Sequence, residues 1–179
     1  SPSSRHGFMI SILHSFRLCR RGIAAMEFAL VLPLGVILLF GVTEVSNALL
    51  IDRKISRAAH AGADLVSQQI AVSEANIADI FKAMQVILEP FPNRAHIRIT
   101  SVVLNGVPRV DWSRSINGNR DSGTYALPPG LVTEAGSSVI VAHIVYSHSA
   151  LFEGSGFGSF DLEQIAYLRP RRRAKVTGP

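Results

Sequence analysis

Apolar and polar positions along the chain fall into three successive regimes. Residues 23–42, IAAMEFALVLPLGVILLFGV, form an almost unbroken apolar run whose single charge is Glu27. At ~1.5 Å of rise per residue the run makes a rod of roughly 30 Å, the thickness of a bilayer's hydrocarbon core. It reads as one membrane-spanning helix. The pattern then turns amphipathic: Val45, Ala48, Leu49, Ile55, Ala59, Gly62, Leu65 and Val66 recur at roughly helical spacing, with Asp52, Arg53, Arg57 and Asp64 elsewhere on the surface. One rod is expected from residue 23 to about residue 69, with Pro33 kinking it because the ring removes a backbone bond and crowds the preceding turn. Small residues at Ala58, Ala59, Gly62 and Ala63 allow close approach of another helix, in a partner or in the chain itself.

A second helix is marked by Ser73 as N-cap, by Ile77, Ile80, Phe81, Met84, Ile87 and Leu88 on one stripe, and by Glu89-Pro90 as the stop. The period then shortens to two. HIRITSVVLNG alternates through Ile97 and Ile99 and shifts phase between Ser101 and Val103; Asn105-Gly106 offers a turn, and VPRVDWSRS follows as a second strand. After a polar loop and Pro128-Pro129-Gly130, SSVIVAHIVYSH is the strongest strand in the chain. The expected fold class is α+β: a long N-terminal transmembrane helix, and a second amphipathic helix laid across a small antiparallel sheet of three or four strands, a pilin-like plan. The expected division is 1–22 as a basic cytoplasmic leader, 23–42 as the span, 43–168 as one exported domain and 169–179 as a basic tail.

Charge orients the span. Arg5, Arg17, Arg20 and Arg21 precede it with no acid, whereas Glu44 and Asp52 accompany Arg53 and Lys54 after it. The positive-inside rule therefore keeps the N-terminus cytoplasmic and sends the body across the membrane. A cleavable secretory signal shares the basic start, but its apolar core is shorter and ends at a small-x-small site; the nearest such site here, Ser46-Asn47-Ala48, lies behind Glu44. The net charge of +5 is concentrated at the ends: without the N-terminal arginines and Arg169, Arg171, Arg172, Arg173 and Lys175, nine basic groups face thirteen acidic ones. Nucleic acid is not an expected partner, since no base-stacking aromatic pattern accompanies the basic tail. The tail is expected to be a solvated end. Cys19 is the single cysteine, so no intrachain disulfide forms. The start is left open between Ser1 and Met9, the latter giving the fourteen-residue leader MISILHSFRLCRRG.

The position of Glu27 relative to Gly22 is the sharpest local signal. A carboxylate within an apolar span costs several kcal/mol unless it finds a partner or protonates, so it is rare without a use. The string RRG-IAAM-E resembles the processing site of type IV prepilins, which a membrane peptidase cuts after the glycine. The resemblance makes Gly22 and Ile23 the cleavage pair, and Glu27 the fifth residue of the mature helix, poised to pair with a neighbouring subunit's amine. A wider match, Gly22, Glu27 to Leu32, Pro33, Gly41, Glu44, Ala58, Ala59, Gly62 and Ala63, resembles TadE/TadG-like proteins of the tight-adherence (Tad, or Flp) pilus system, and SSVIVAHIVYSHSALF and AYLRPRRR resemble their later strand and arginine-rich ending. The resemblance implies a non-enzymatic minor pseudopilin or assembly component, with Glu27, Phe28 and Pro33 setting helix register. Its implied location is the bacterial inner membrane with the C-terminal domain periplasmic, or the pilus after extraction. Its implied partners are other Tad pilus components and a prepilin peptidase.

Catalytic signatures are missing from the sequence: there is no G-x-S-x-G, H-E-x-x-H, phosphate-binding glycine loop or C-x-x-C. No cofactor, metal or small-molecule substrate is expected. His143 and His148, five apart on a strand, point to opposite faces, so a metal site with Asp161 and Glu163 is not expected. Trp112 reads as core and GSGFGSF, residues 154–160, as a flexible loop. The rival readings are a signal-anchored envelope protein binding a periplasmic ligand, and a tethered hydrolase that would need Ser147, His143 and Asp161 to converge on a pocket.

Overall fold

The computed structural model describes residues 20–90, 92–132, 134–149 and 159–179. It contains two compact units, Ser1–Val45 and Ser46–Pro179, both entered by helix α1, Arg20–Ser67. The leader through Cys19, Met9 included, and most of the GSGFGSF loop lie outside the described residues.

In the first unit the apolar side chains of α1 point outward: Leu30 is 76% exposed and Ile37 66%, and the most apolar 18-residue window has a mean hydropathy of 2.4 with none of it buried. Such a surface is unfavourable in water and suited to lipid. Pro33 lies inside the helix.

The second unit is an α+β domain. Here α1 turns a stripe inward through Ile51, Ile55, Ala58, Ala59, Ala63 and Val66, all buried. Val45, Leu49 and Leu65, expected on the buried side, are 52%, 56% and 39% exposed. Leu49 and Leu65 fall at the edges of the stripe that follows the 3.6-residue period from Ile51, whereas Val45, in phase with Ala63, belongs to the first unit. Helix α2, Glu74–Ile87, begins at Ser73 with a capping box: Asn76 N–H donates to Ser73 Oγ and Ser73 N–H to Asn76 Oδ1, both at 3.2 Å. Its Ile77, Ile80, Phe81 and Met84 are buried, as the period-3.6 stripe requires. The two helices approach closely where α1 has no side chain: a Cβ on Gly62 would sit 2.3 Å from Met84 Sδ.

Four antiparallel strands follow: β1 Ala95–Asn105, β2 Val107–Ile116, β3 Ser138–His148 and β4 Phe160–Leu168, ordered β2-β1-β3-β4. Gly106, at φ +77°, makes the β1–β2 turn, where a side chain would be strained. One face of the sheet, with Ile97, Ile99, Trp112, Ile140, Ala142, Ile144, Tyr146 and Ala166, joins the helices in the main core. The opposite face carries a smaller cluster, Val102, Val139 and Val141, under Tyr125, Leu127, Leu131 and Val132 of the β2–β3 connection. This second cover explains the apparent phase shift in β1. Pairing with β3 runs unbroken through Ser101↔Ile140 and Val102↔Val139, so β1 keeps its alternation; the register slips only toward β2, where Asp111 is the extra residue. Both faces of β1 are buried there, so apolar residues occupy both.

The basic tail is a strap rather than a solvated end. Val72 N–H donates to Thr177 O at 2.9 Å, Thr177 N–H to Ile70 O at 3.2 Å and Ser138 N–H to Ala174 O at 2.7 Å. Val176 is fully buried, and Trp112 Nε1–H donates to its carbonyl at 3.2 Å. Arg171 pairs with Asp64 and Lys175 with Asp111, each at 2.6 Å. Exposed pairs of this kind contribute little, so the buried valine and the backbone bonds hold the strap.

Glu74 accepts from Arg114 Nε at 2.9 Å and from Nη2 at 2.5 Å, joining the first turn of α2 to β2. The Arg114 hydrogen bonds hold the Glu74 carboxyl below its ordinary range. A depressed folded value means that this contact stabilises above the unfolded carboxylate's titration and is lost as pH falls through the folded value.

Arg114→Ala is expected to move the NMR titration midpoint of Glu74 upward into the ordinary carboxylate range; an unmoved midpoint refutes the pairing. Val176→Ala is expected to cost about 2 kcal/mol, from two lost buried methyls and the cavity they leave. Urea unfolding of the full chain in detergent, followed by Trp112 fluorescence, measures that cost, and a loss below about 0.5 kcal/mol, the scale of an ordinary surface substitution, rejects the strap as part of the core.

Candidate functional site

Two regions carry the candidate chemistry. The first is the helical segment of the first unit that begins with Gly22. Gly22 has open space around its Cα, Ile23 is 56% exposed and Phe28 65%. Glu27 and Pro33 are exposed as well, and among the described residues Glu27 has no hydrogen-bond or ion-pair partner. Glu44 differs: it is 4% exposed and already engaged. The sequence assigned it a place in the flanking charge balance and in the TadE/TadG-like match, not a buried position.

The small residues lie in the second unit. Ala58, Ala59 and Ala63 are fully buried, and Gly62 faces Met84 of α2. The close approach that their size permits is therefore used within the chain, at least at Gly62.

The second region is a cleft of about 350 Å³ on the open face of the sheet, lined by residues that include His96, Arg98, Asn119, His143, Ser147 and Asp161. Strand alternation collects them: His96, Arg98 and Thr100 are alternate residues of β1, and His143, Val145 and Ser147 of β3. Register then sets Arg98 opposite His143, and Ser147 opposite Asp161. Arg98 Nη2 donates to His143 Nδ1 at 2.5 Å, while His143 Nε2 lies 2.7 Å from Glu163 Oε1. A guanidinium only donates, so Nδ1 must accept; Nε2 faces Glu163 without the alignment of a good hydrogen bond. On the other side Arg98 Nε lies 3.0 Å from Asp121 Oδ2, an ion pair without the alignment of a good hydrogen bond. Thr100 Oγ1 donates to the same carboxylate at 2.7 Å, and Asp121 N–H donates to Ser113 Oγ at 3.1 Å. Nearby, burial raises the Tyr125 hydroxyl above its ordinary value, and the charge of Asp121 adds to this.

This chain of polar groups pins the connection after β2 onto the sheet. It does not form a nucleophilic triad. Ser147 Oγ donates to Asp161 Oδ1 at 2.7 Å, and His143 is four residues away on the same strand, about 13 Å along it. A serine nucleophile needs its base within hydrogen-bond reach. His148, on the other face, is 3% exposed and its ring centroid lies 5.0 Å from that of Phe160. The two histidines thus point apart as the strand period requires, and among the described residues no group of three or more His, Cys, Asp or Glu is arranged to hold a metal. Sequence reasoning missed the Arg98–Asp121 pair. The legible signal was the polar set His96, Arg98 and Thr100 at alternate positions of an apolar strand, which only register could join to its mates.

Asp121→Ala is expected to cost about 1–3 kcal/mol, because it strands Arg98 and Thr100, and to raise hydrogen exchange at Val110 N–H, which donates to Gly123 O at 2.9 Å; unchanged exchange would show that the connection is held otherwise. Comparison with known proteins bears on the first region. No curated protein and no solved structure matches the chain. A family model described as TadE-like protein matches residues 22–64, from the glycine before the apolar run to the small-residue stripe. Over those residues the match is consistent with a TadE-like protein of the Tad pilus system, and among the described residues one N-terminal helix is long and apolar enough to cross a membrane.

Proposed function

We propose that the chain is a minor pseudopilin or assembly component of a Tad pilus, anchored in the inner membrane and acting in pilus biogenesis and surface adherence through protein contacts. The observation that carries this reading is the coincidence of the TadE-like match with an outward-facing apolar helix bearing one carboxylate, Glu27, that has no partner among the described residues. The N-terminus stays cytoplasmic and the α+β domain lies in the periplasm, as the arginines before the span favour. A prepilin peptidase cuts between Gly22 and Ile23. Glu27 then pairs with the new amine of an adjacent helix and sets the axial register, with Phe28 and Pro33 shaping the helix surface beside it. Such a pair in lipid has no water to compete with it, so it selects one stagger among many. The open-face cleft favours the rival, an envelope protein that binds a periplasmic ligand and keeps its leader.

Incubation with the cognate prepilin peptidase followed by N-terminal sequencing is expected to return Ile23 as the first residue. An intact leader, or a cut elsewhere, removes the pseudopilin reading and favours the rival. Glu27→Gln is expected to lower the pilus-associated fraction about tenfold, the equivalent of ~1.4 kcal/mol of lost pairing; assembly at the parental level would show that the carboxylate has no part in register.

A further inference from the structure

We propose that one end of the α+β domain rests on the membrane surface and binds anionic phospholipid headgroups there, an inference that depends on reading residues 23–42 as a span. Four chain segments meet at this end. Helix α1 contributes Asn47, Leu50 and Ile51; Arg94 stands immediately before β1; β3 finishes at His148; and β4 opens at Phe160, the register partner of His148. Between them lies a pocket of about 200 Å³ lined by Asn47, Leu50, Ile51, Arg94, Tyr146, His148 and Ser149.

Its composition is that of an interface between oil and water. Arg94 Nη1 donates to Ser149 Oγ at 2.6 Å, and among the described residues no carboxylate pairs with the guanidinium. Arg94 thus lines a largely apolar pocket together with Leu50, 53% exposed; Leu49, 56% exposed, adjoins Leu50 in the chain, and Phe160, 43% exposed, is the register partner of His148 in the same lining. Exposed leucine and phenylalanine at the same end as an arginine with no carboxylate partner among the described residues suit a phospholipid: the planar guanidinium takes two phosphate oxygens, and the apolar side chains take the glycerol and upper acyl region.

Covalent reach supplies the location. Asn47 is five residues past Val42, the last residue of the apolar run, and five residues extend at most about 18 Å by any path. The headgroup layer occupies roughly 5–8 Å beyond the hydrocarbon core, so residues 47–51 cannot be carried far from it. The opposite end of the sheet, at the β1–β2 turn around Asn105, is about 35 Å farther along the strands.

The test uses the full chain in nanodiscs of phosphatidylcholine, alone or mixed with phosphatidylglycerol. A single environment-sensitive dye is placed through Phe160→Cys, Asn105→Cys or Leu39→Cys in a Cys19→Ser background, and quenching is read with spin labels at the headgroup or at mid-bilayer. Headgroup quenching is expected at 160 and not at 105, stronger with phosphatidylglycerol. Arg94→Ala is expected to lower the docked-to-undocked ratio in the anionic discs about fivefold, the usual worth of one basic side chain near such a surface. Leu50→Cys provides a second reporter if Phe160→Cys does not fold. Equal quenching at 160 and 105, or an Arg94→Ala variant that behaves like the parent, overturns the proposal. Loss of quenching in excess inorganic phosphate also overturns it, in favour of a free-phosphate site. Absence of mid-bilayer quenching at position 39 would instead bring down the span, and with it the proposed pilus function.

Discussion

One helix has to satisfy two solvents. In its first half α1 displays leucine, isoleucine and phenylalanine on all sides, a surface suited to lipid; in its second half it buries a stripe from Ile51 to Val66 in a protein core. Rotation by 3.6 residues per turn permits the change without a break in the backbone, because amphipathicity is a property of which residues fill the stripe. The rest of the second unit answers this requirement. The sheet supplies an apolar face, α2 supplies a second helix packed at a point where Gly62 carries no side chain, and Ala58, Ala59 and Ala63 keep the helix surface low.

A small sheet covered on one side only would leave β1 and β3 half wet. The domain covers the other side with the long β2–β3 connection. Part of that cover is apolar, over Val102, Val139 and Val141, and part is held by the Arg98–Asp121 ion pair and its hydroxyl neighbours. The C-terminal strap closes the edge of the core between α1 and β2 through Val176 and the Trp112 indole. Edge strand β2 is shielded by Gly123 and Tyr125, whose backbone pairs with Val110 and Pro108. Such shielding limits unwanted strand addition.

The polar groups of the open-face cleft are mostly satisfied by one another, the pattern of a structural network.

Local pattern alone determined the apolar span, the amphipathic continuation of α1, the capped α2 and the β1–β2 hairpin. Each is written in a contiguous stretch whose period, cap or turn residues suffice: Glu27 alone in its run, Ser73 and Asn76 three apart, Gly106 at a positive φ. Tertiary structure decided the remainder. Strand β4 has weak alternation, with Gln164 and Ala166 on its inward side, and is a strand because β3 offers it a ladder. The tail reads as a charge block, yet it docks because Val176 finds a vacancy beside Trp112 that no nearby residue could reveal. The joining of Arg98 to His143 and Asp121 likewise depends on partners 45 and 23 residues away in the numbering, where register and loop path, not periodicity, decide contact.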